Sequence, residues 1–133
     1  MKFLVVRAWI ALIRYDLIAK VRGYQAVQDA AQREQRLTSA NALRLPWKKV
    51  CDAVEVAAVL YFKQVHCLQR SAVTIQLLRR DGWDAHLVIG VQMIPFASHA
   101  WVELGGVVIN DKPYMREKYR VLGHTEVTPN ERD

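Results

Sequence analysis

Apolar side chains recur at helical spacing over much of the first 82 residues, and they alternate with polar side chains after that. Residues 24–38 are the exception, because they are polar and rich in Gln, Ala and other helix formers. The helical part predicts four helices: residues 3–20, residues 24–38, a third that begins at Pro46 and a fourth that begins at Cys67. Proline suits the first turn of a helix, and Gly82 is placed to end the fourth one in a left-handed conformation. The predicted apolar faces are Val50, Val54, Ala58 and Tyr61 on the third helix, and Leu68, Ala72, Ile75 and Leu78 on the fourth.

The alternating part predicts antiparallel strands. Residues 83–91 have the pattern of a half-buried strand, Ile94-Pro95-Phe96 interrupts it, and strands over 98–103 and 107–111 flank Gly105-Gly106. No helix or strand is predicted for the polar tail from Lys112 onward. Helices followed by a meander of strands indicate an α+β fold. We expect a helical N-terminal extension over residues 1–45 and a compact catalytic core over 46–133.

The net charge of +6 lies entirely upstream of Cys67. A basic half is compatible with a solvated surface, which is the commonest case, and also with nucleic acid, an anionic membrane or an acidic peptide. Because the aromatic residues do not cluster with the basic ones, we expect no nucleic-acid binding.

The N-terminal run MKFLVVRAWIALIRYDLIAK is interrupted by Arg7, Arg14 and Asp16, so it falls short of the roughly 20 apolar residues that span a bilayer. It also lacks the cleavage site of a signal peptide. The favoured interpretation is an amphipathic helix packed on the domain. A helix at the membrane surface is the alternative, since Trp9 and Tyr15 accompany the basic residues.

Cys67 is the candidate nucleophile, because the N–H groups and dipole at a helix start favour the thiolate and can stabilise an oxyanion. A buried structural cysteine is the commoner case, and core packing is the expectation for Cys51. Two cysteines are compatible with a reducing cytoplasm. Neither zinc-ligand spacing nor a phosphate-binding loop is present, so we expect no metal and no cofactor.

His99 and Asp111 lie on the two strands that flank Gly105-Gly106, so the loop length decides whether they meet. A two-residue loop would place Asp111 opposite Ala100, on the wrong face of the sheet. A three-residue loop, Leu104-Gly105-Gly106, would place Asp111 directly opposite His99. We predict the second arrangement, in which the carboxylate orients the imidazole as in other catalytic triads.

Four segments, taken together, carry a family resemblance. The order of CLQRS at 67–71, LLRRDG at 77–82, LVIGV at 87–91 and PFASHAWVE at 95–103 closely resembles the B2 proteins of lasso peptide biosynthesis. The resemblance implies a transglutaminase-like (papain-like) cysteine peptidase that removes the leader from a ribosomally synthesised precursor. It also implies two partners, a separate leader-recognition (B1-type) protein and an ATP-dependent cyclase.

Residue by residue, the resemblance implies Cys67 as nucleophile, His99 as base and acid, and Asp111 as the group that orients His99. Motif positions Arg70, Trp101 and Glu103 are expected to support the site. The Cys67 N–H is one expected oxyanion donor, and Gln64 and Trp47 are candidates for the second. An acyltransferase or amidase with another substrate, and a non-catalytic peptide-binding subunit, remain as alternatives.

Overall fold

The computed structural model describes residues 2–34 and 45–122. Its elements in chain order confirm the α+β class: α1 (Lys2–Arg22), α2 (Tyr24–Arg33), α3 (Trp47–Leu60), α4 (Cys67–Arg80), β1 (Ala85–Met93), β2 (Phe96–Leu104), β3 (Val107–Val108), α5 (Met115–Lys118) and β4 (Arg120–Val121). Residues 35–38 of the second predicted helix and the connector up to 44 lie outside the described residues.

Helix α4 is the centre of the molecule, because α1, α2 and α3 and strands β1 and β2 all contact it. The predicted stripe is buried at Ala72, Ile75 and Leu78, and Leu68 packs against the same core, but burial extends well beyond this stripe. Ten of its residues, around the whole circumference, are buried, including Gln69, Ser71, Thr74 and Gln76. Polar side chains inside a core need partners, and Ser71 and Thr74 find theirs in backbone carbonyls.

The end of α4 follows the prediction. Gly82 is left-handed at φ 91°, and the Trp83 N–H returns to the Leu78 carbonyl at 2.9 Å. In the last turn, the buried Arg79 guanidinium donates to Gln32 and Glu34 carbonyls at the end of α2 and to the Ala85 carbonyl. One cation thus joins α2, α4 and the first strand.

The sheet has the order β3-β2-β1-β4, and all neighbours are antiparallel. Strand β2 begins at Phe96 rather than Ser98, because Ile94-Pro95 forms a two-residue turn after Met93. The following loop also has two residues, since Leu104 pairs with Val107. The three-residue prediction is wrong: Gly105 and Gly106 both adopt positive φ (59° and 81°), as the tight hairpin turn requires.

Both faces of the sheet are covered, contrary to the half-buried strand that the alternation predicts. The helices cover one face in a large core that includes Leu87, Ala100 and Val102. The other face carries a small cluster of buried Val88, Trp101 and Met115, with Val108, Tyr119 and Val121 packed against it. Residues 112–122 of the tail, for which no helix or strand was predicted, therefore cover this face through α5 and β4. The rest of that tail, residues 123–133, lies outside the described residues.

Gly90 shows how closely the tail approaches the sheet. A Cβ at this position would lie 2.6 Å from the Tyr119 Cβ and 2.7 Å from the Trp101 ring. Glycine is therefore required for packing here.

Residues of α1 and α2, such as Leu12, Tyr15 and Val27, belong to the same large core as α3 and α4. The division of the chain after residue 45 stays a prediction. The described contacts join both sides of that division.

Candidate active site

Cys67 is the first residue of α4, as predicted. The preceding His66 is extended (φ −80°, ψ 158°), and its side chain does not cap the helix. The cysteine is partly exposed, whereas Cys51 is buried on α3. Burial, with the charges of Asp52 and Glu55, raises the pKa of the Cys51 thiol to about 12. Of the two thiols, Cys67 is the accessible one.

His99 and Asp111 do come together, with His99 Nε2 at 2.5 Å from Asp111 Oδ2. The register of the hairpin does not produce this contact, because the ladder ends at Val108 and one further bond joins the Ile109 N–H to the Val102 carbonyl. The chain then leaves the sheet in a bend at residues 110–111. This departure frees Asp111 from strand alternation and lets its carboxylate reach His99.

Asn110 fixes that bend through its carboxamide. The Val102 N–H donates to Asn110 Oδ1 at 2.7 Å, and Asn110 Nδ2 donates to Ser71 Oγ at 3.1 Å. Ser71 Oγ in turn donates to the Ala100 carbonyl at 3.2 Å. Because Ser71 lies one turn after Cys67 and Ala100 directly follows His99, this chain ties the start of α4 to the histidine strand.

Asp111 is held as a carboxylate. Burial opposes ionisation, but hydrogen bonds from His99 and the Lys112 N–H, together with the charge of Arg70, keep the pKa of Asp111 below its usual value. Arg70 also lies 3.5 Å from a Glu55 carboxylate oxygen. The motif arginine thus acts on the carboxylate that contacts His99.

The His99 ring lies between Asp111 and two aromatic side chains. Its centroid is 5.5 Å from that of Tyr119 and 6.2 Å from that of Trp101, and both pairs are stacked. Since Nε2 faces Asp111, Nδ1 is the nitrogen left for proton exchange with a thiol. No hydrogen bond joins Cys67 and His99 within residues 2–34 and 45–122.

Glu103 anchors the aromatic wall behind His99. Its buried carboxylate accepts from Trp101 Nε1 at 2.9 Å and from two nitrogens of Arg116 at 2.7 and 2.9 Å. Arg116 belongs to α5, which leads directly to Tyr119. The network therefore fixes both rings that stack on the histidine.

Among the hydrogen bonds of the described residues, none joins either candidate oxyanion donor to His99 or Asp111. Trp47 begins α3 and packs against the large core. Gln64 is exposed and borders a cavity of about 450 Å³ beside the start of α4, which is also lined by His66 and Gln69. Their role as donors stays a prediction. Over the described part of the chain, no group of three His, Cys, Asp or Glu residues is arranged to hold a metal ion.

Sequence reasoning missed three residues that build the site: Tyr119, Asn110 and Arg116. Asn110 had a sequence signal, because it adjoins Asp111. Its hydrogen-bond partner Ser71 had one too, because it lies in the CLQRS motif. Tyr119 and Arg116 had none, because the polar tail shows no periodicity and their positions depend on contacts with distant residues.

Comparison with known protein families identifies the superfamily of this chain. A family model described as the transglutaminase-like superfamily matches residues 6–124, and the chain belongs to that superfamily. The fold class expected from the motifs is thereby confirmed.

A particular relative supports the narrower resemblance. The chain is 43% identical over 91 residues to the microcin J25-processing protein McjB of Escherichia coli. The aligned segment covers 68% of this chain and 43% of that protein. The matched part is thus less than half of the relative's own length. No solved structure shows a significant match.

Proposed function

We propose that this protein is a cysteine peptidase that cuts the leader from a ribosomally made lasso peptide precursor. The observation that carries the proposal is the pairing of His99 with Asp111 on a strand tied, through Asn110 and Ser71, to the helix that begins with Cys67. The similarity to a microcin-processing protein supports a peptide as substrate.

In the proposed mechanism, Cys67 passes its proton to His99 Nδ1, and the thiolate attacks the carbonyl carbon at the end of the leader. The oxyanion that forms is stabilised by the N–H groups at the start of α4. His99 then donates its proton to the departing amine of the core peptide, which leaves a thioester. Water, deprotonated by His99, hydrolyses the thioester and releases the leader.

Asp111 has a positioning role in this scheme. Its hydrogen bond to Nε2 fixes the ring, and its negative charge stabilises the imidazolium that forms during each proton transfer. Arg70, Trp101 and Glu103 support this arrangement through the contacts described above. We further propose that the reaction takes place in the cytoplasm, with a leader-recognition protein and an ATP-dependent cyclase as partners.

The direct experiment is to incubate the protein with a precursor and its leader-recognition protein and to follow cleavage by mass spectrometry. Cys67→Ala should abolish the cut, because no other accessible thiol can form the thioester. Thioester capture with a small amine distinguishes the alternatives, since an acyltransferase would give the amide while a peptidase gives the free leader carboxylate.

Cys51→Ala is the matched control. Its thiol is buried and held protonated, so its removal should leave the rate unchanged apart from a small loss of stability. Equal cleavage by both variants would contradict the assignment of Cys67, and absence of cleavage by the wild-type protein would contradict the peptidase function itself.

A further inference from the structure

Helix α1 has two apolar faces, of which residues 24–34 and 45–122 cover only one. Leu4, Ala8, Leu12 and Tyr15 point into the core. On the opposite side, five large apolar side chains are more than half exposed: Phe3 75%, Val6 55%, Ile10 59%, Leu17 57% and Val21 79%. They lie three or four residues apart except between Ile10 and Leu17, where Ile13 is only partly exposed. This outer stripe extends from the first turn of the 21-residue helix to the last. An exposed apolar surface of this kind indicates a binding site for another surface.

Basic residues border the outer stripe on both sides. At 3.6 residues per turn, Arg7 and Arg14 lie along one edge, and Lys2 and Lys20 lie along the other. Arg14 also donates to Gln76 Oε1 at 2.9 Å and lies 3.8 Å from a Glu34 carboxylate oxygen, so Arg7 contributes most of the net positive charge on its edge. The single acidic residue of α1, Asp16, faces inward, where it binds Lys63 and Tyr61. The outer surface of the helix is therefore apolar along its middle and positive along both edges.

This charge pattern selects among possible occupants. A second copy of the helix would place positive edges against positive edges, which is unfavourable. Nucleic acid would use the cations but would leave the apolar stripe in water. An anionic bilayer satisfies both, since the stripe enters the boundary of headgroups and acyl chains while the flanking cations reach the phosphates.

No described helix is long and apolar enough to span a membrane. The sequence alternative of a membrane-surface helix relied on Trp9 and Tyr15. Tyr15 is fully buried, so that choice of residue was wrong, while Trp9 lies partly buried at the edge shared with α3. There Trp9 Nε1 donates to the Leu60 carbonyl at 3.4 Å, and its ring packs edge-on against that of Tyr61.

We propose that the outer stripe of α1 binds the surface of an anionic lipid bilayer, with the helix axis parallel to the membrane. This inference is independent of the peptidase function, because none of the stripe residues belongs to the candidate active site. The peptidase would then work beside the membrane rather than free in solution.

Co-sedimentation of the whole chain with vesicles tests the proposal. The protein should sediment with vesicles of phosphatidylglycerol and phosphatidylcholine in equal parts and should remain in solution with pure phosphatidylcholine. Ile10→Gln with Leu17→Gln should weaken binding at least about tenfold, because two apolar side chains no longer enter the bilayer. Lys2→Gln with Arg7→Gln should weaken it about fivefold for each charge removed, and high salt should have a similar effect.

Ile94→Gln is the matched control, because Ile94 is the same residue type, 91% exposed, at the turn between β1 and β2. It should leave vesicle binding unchanged, and thermal unfolding of each variant should match the wild type because the substituted side chains are exposed. An equal loss in Ile94→Gln, or no sedimentation of the wild type with anionic vesicles, would overturn the proposal. In the second case a protein surface becomes the occupant to seek.

Discussion

The two sides of the candidate site are built in different ways. On the helix side, Cys67 is placed by short-range features, namely an extended His66 and a helix that begins at the cysteine itself. On the sheet side, His99 is placed by residues far from it in sequence, since Asp111, Tyr119 and Trp101 surround its ring. The nucleophile thus depends on local structure, and the base depends on tertiary packing.

This difference shows where the site is vulnerable. The stacking contacts of His99 rest on the small cluster on the second face of the sheet, to which the tail contributes Met115, Tyr119 and Val121. Its contact with Asp111 rests on the bend that Asn110 holds. Changes in that cluster should affect the histidine while the start of α4 keeps its structure. The following substitutions test this, from the largest expected effect to the smallest.

Asp111→Asn should have the largest effect on the sheet side. The amide keeps the size of the side chain but has no charge to stabilise the imidazolium, so kcat/KM for cleavage should fall on the order of 10²- to 10⁴-fold. Asp84→Asn is the control, because Asp84 also lies near a histidine, 3.4 Å from His86, but on the surface. Comparable losses in the two variants would show that the pairing with His99 is not what matters.

Gly90→Ala should lower the free energy of unfolding by about 1–3 kcal/mol, because the new methyl group meets the Tyr119 Cβ and the Trp101 ring. In an ordinary strand the same change is stabilising by roughly 0.5–1 kcal/mol, so the sign of the effect is informative. Urea denaturation measures it. A stabilised variant would mean that the tail does not cover the sheet as described.

Tyr119→Ala should reduce kcat/KM about two- to tenfold, the equivalent of one lost aromatic contact on the histidine ring. Tyr119→Phe should restore the rate, because the stacking needs the ring and not the hydroxyl group. Tyr114→Ala removes a partly exposed tyrosine from the same segment and serves as the control. If Phe fails to rescue, the hydroxyl group rather than the ring is the functional part.

Asp16→Asn should have the smallest effect of these substitutions, a modest loss of stability at neutral pH that disappears in acid. Despite burial, hydrogen bonds from Lys63 and Tyr61 hold the pKa of Asp16 below its usual value. The folded state therefore gains stability from Asp16 above the ordinary aspartate pKa, and loses it as the pH falls from about 5 through that range. The variant should show a flatter stability curve in acid, measured by urea unfolding at successive pH values.

Asp84→Asn again provides the comparison, because Asp84 is largely exposed. Its acid stability curve should follow the wild type. A wild-type curve that does not decline more steeply in acid than that of Asp16→Asn would contradict the role given to Lys63 and Tyr61.

Several features could be predicted from the sequence because they have local causes. The start of α4 at Cys67, its end at Gly82 and the start of α3 after Pro46 all follow from residues within one turn of the feature. The meeting of His99 and Asp111 was also expected, but through a three-residue loop that does not exist. The pairing arises instead from the bend at Asn110, whose carboxamide bonds to two distant residues.

The burial of α4 and of the second sheet face could not be predicted from periodicity. Apolar spacing indicates which side of an element is most buried, and it cannot indicate how many neighbours surround that element. Ser71, Gln76 and Arg79 are polar yet buried, because distant carbonyls or side chains satisfy them. The tail lacked any pattern, so Tyr119 and Arg116 could not be placed.

By itself, the sequence determined a cysteine at a helix start, a hairpin that carries His99, and the motifs that relate this chain to its family. These depend on backbone preferences within a few residues. Only the tertiary structure decided that the tail stacks Tyr119 on His99, and that one apolar face of α1 stays uncovered by the described part of the chain. Those outcomes depend on which surfaces meet, and packing between residues far apart in the chain leaves no local pattern to read.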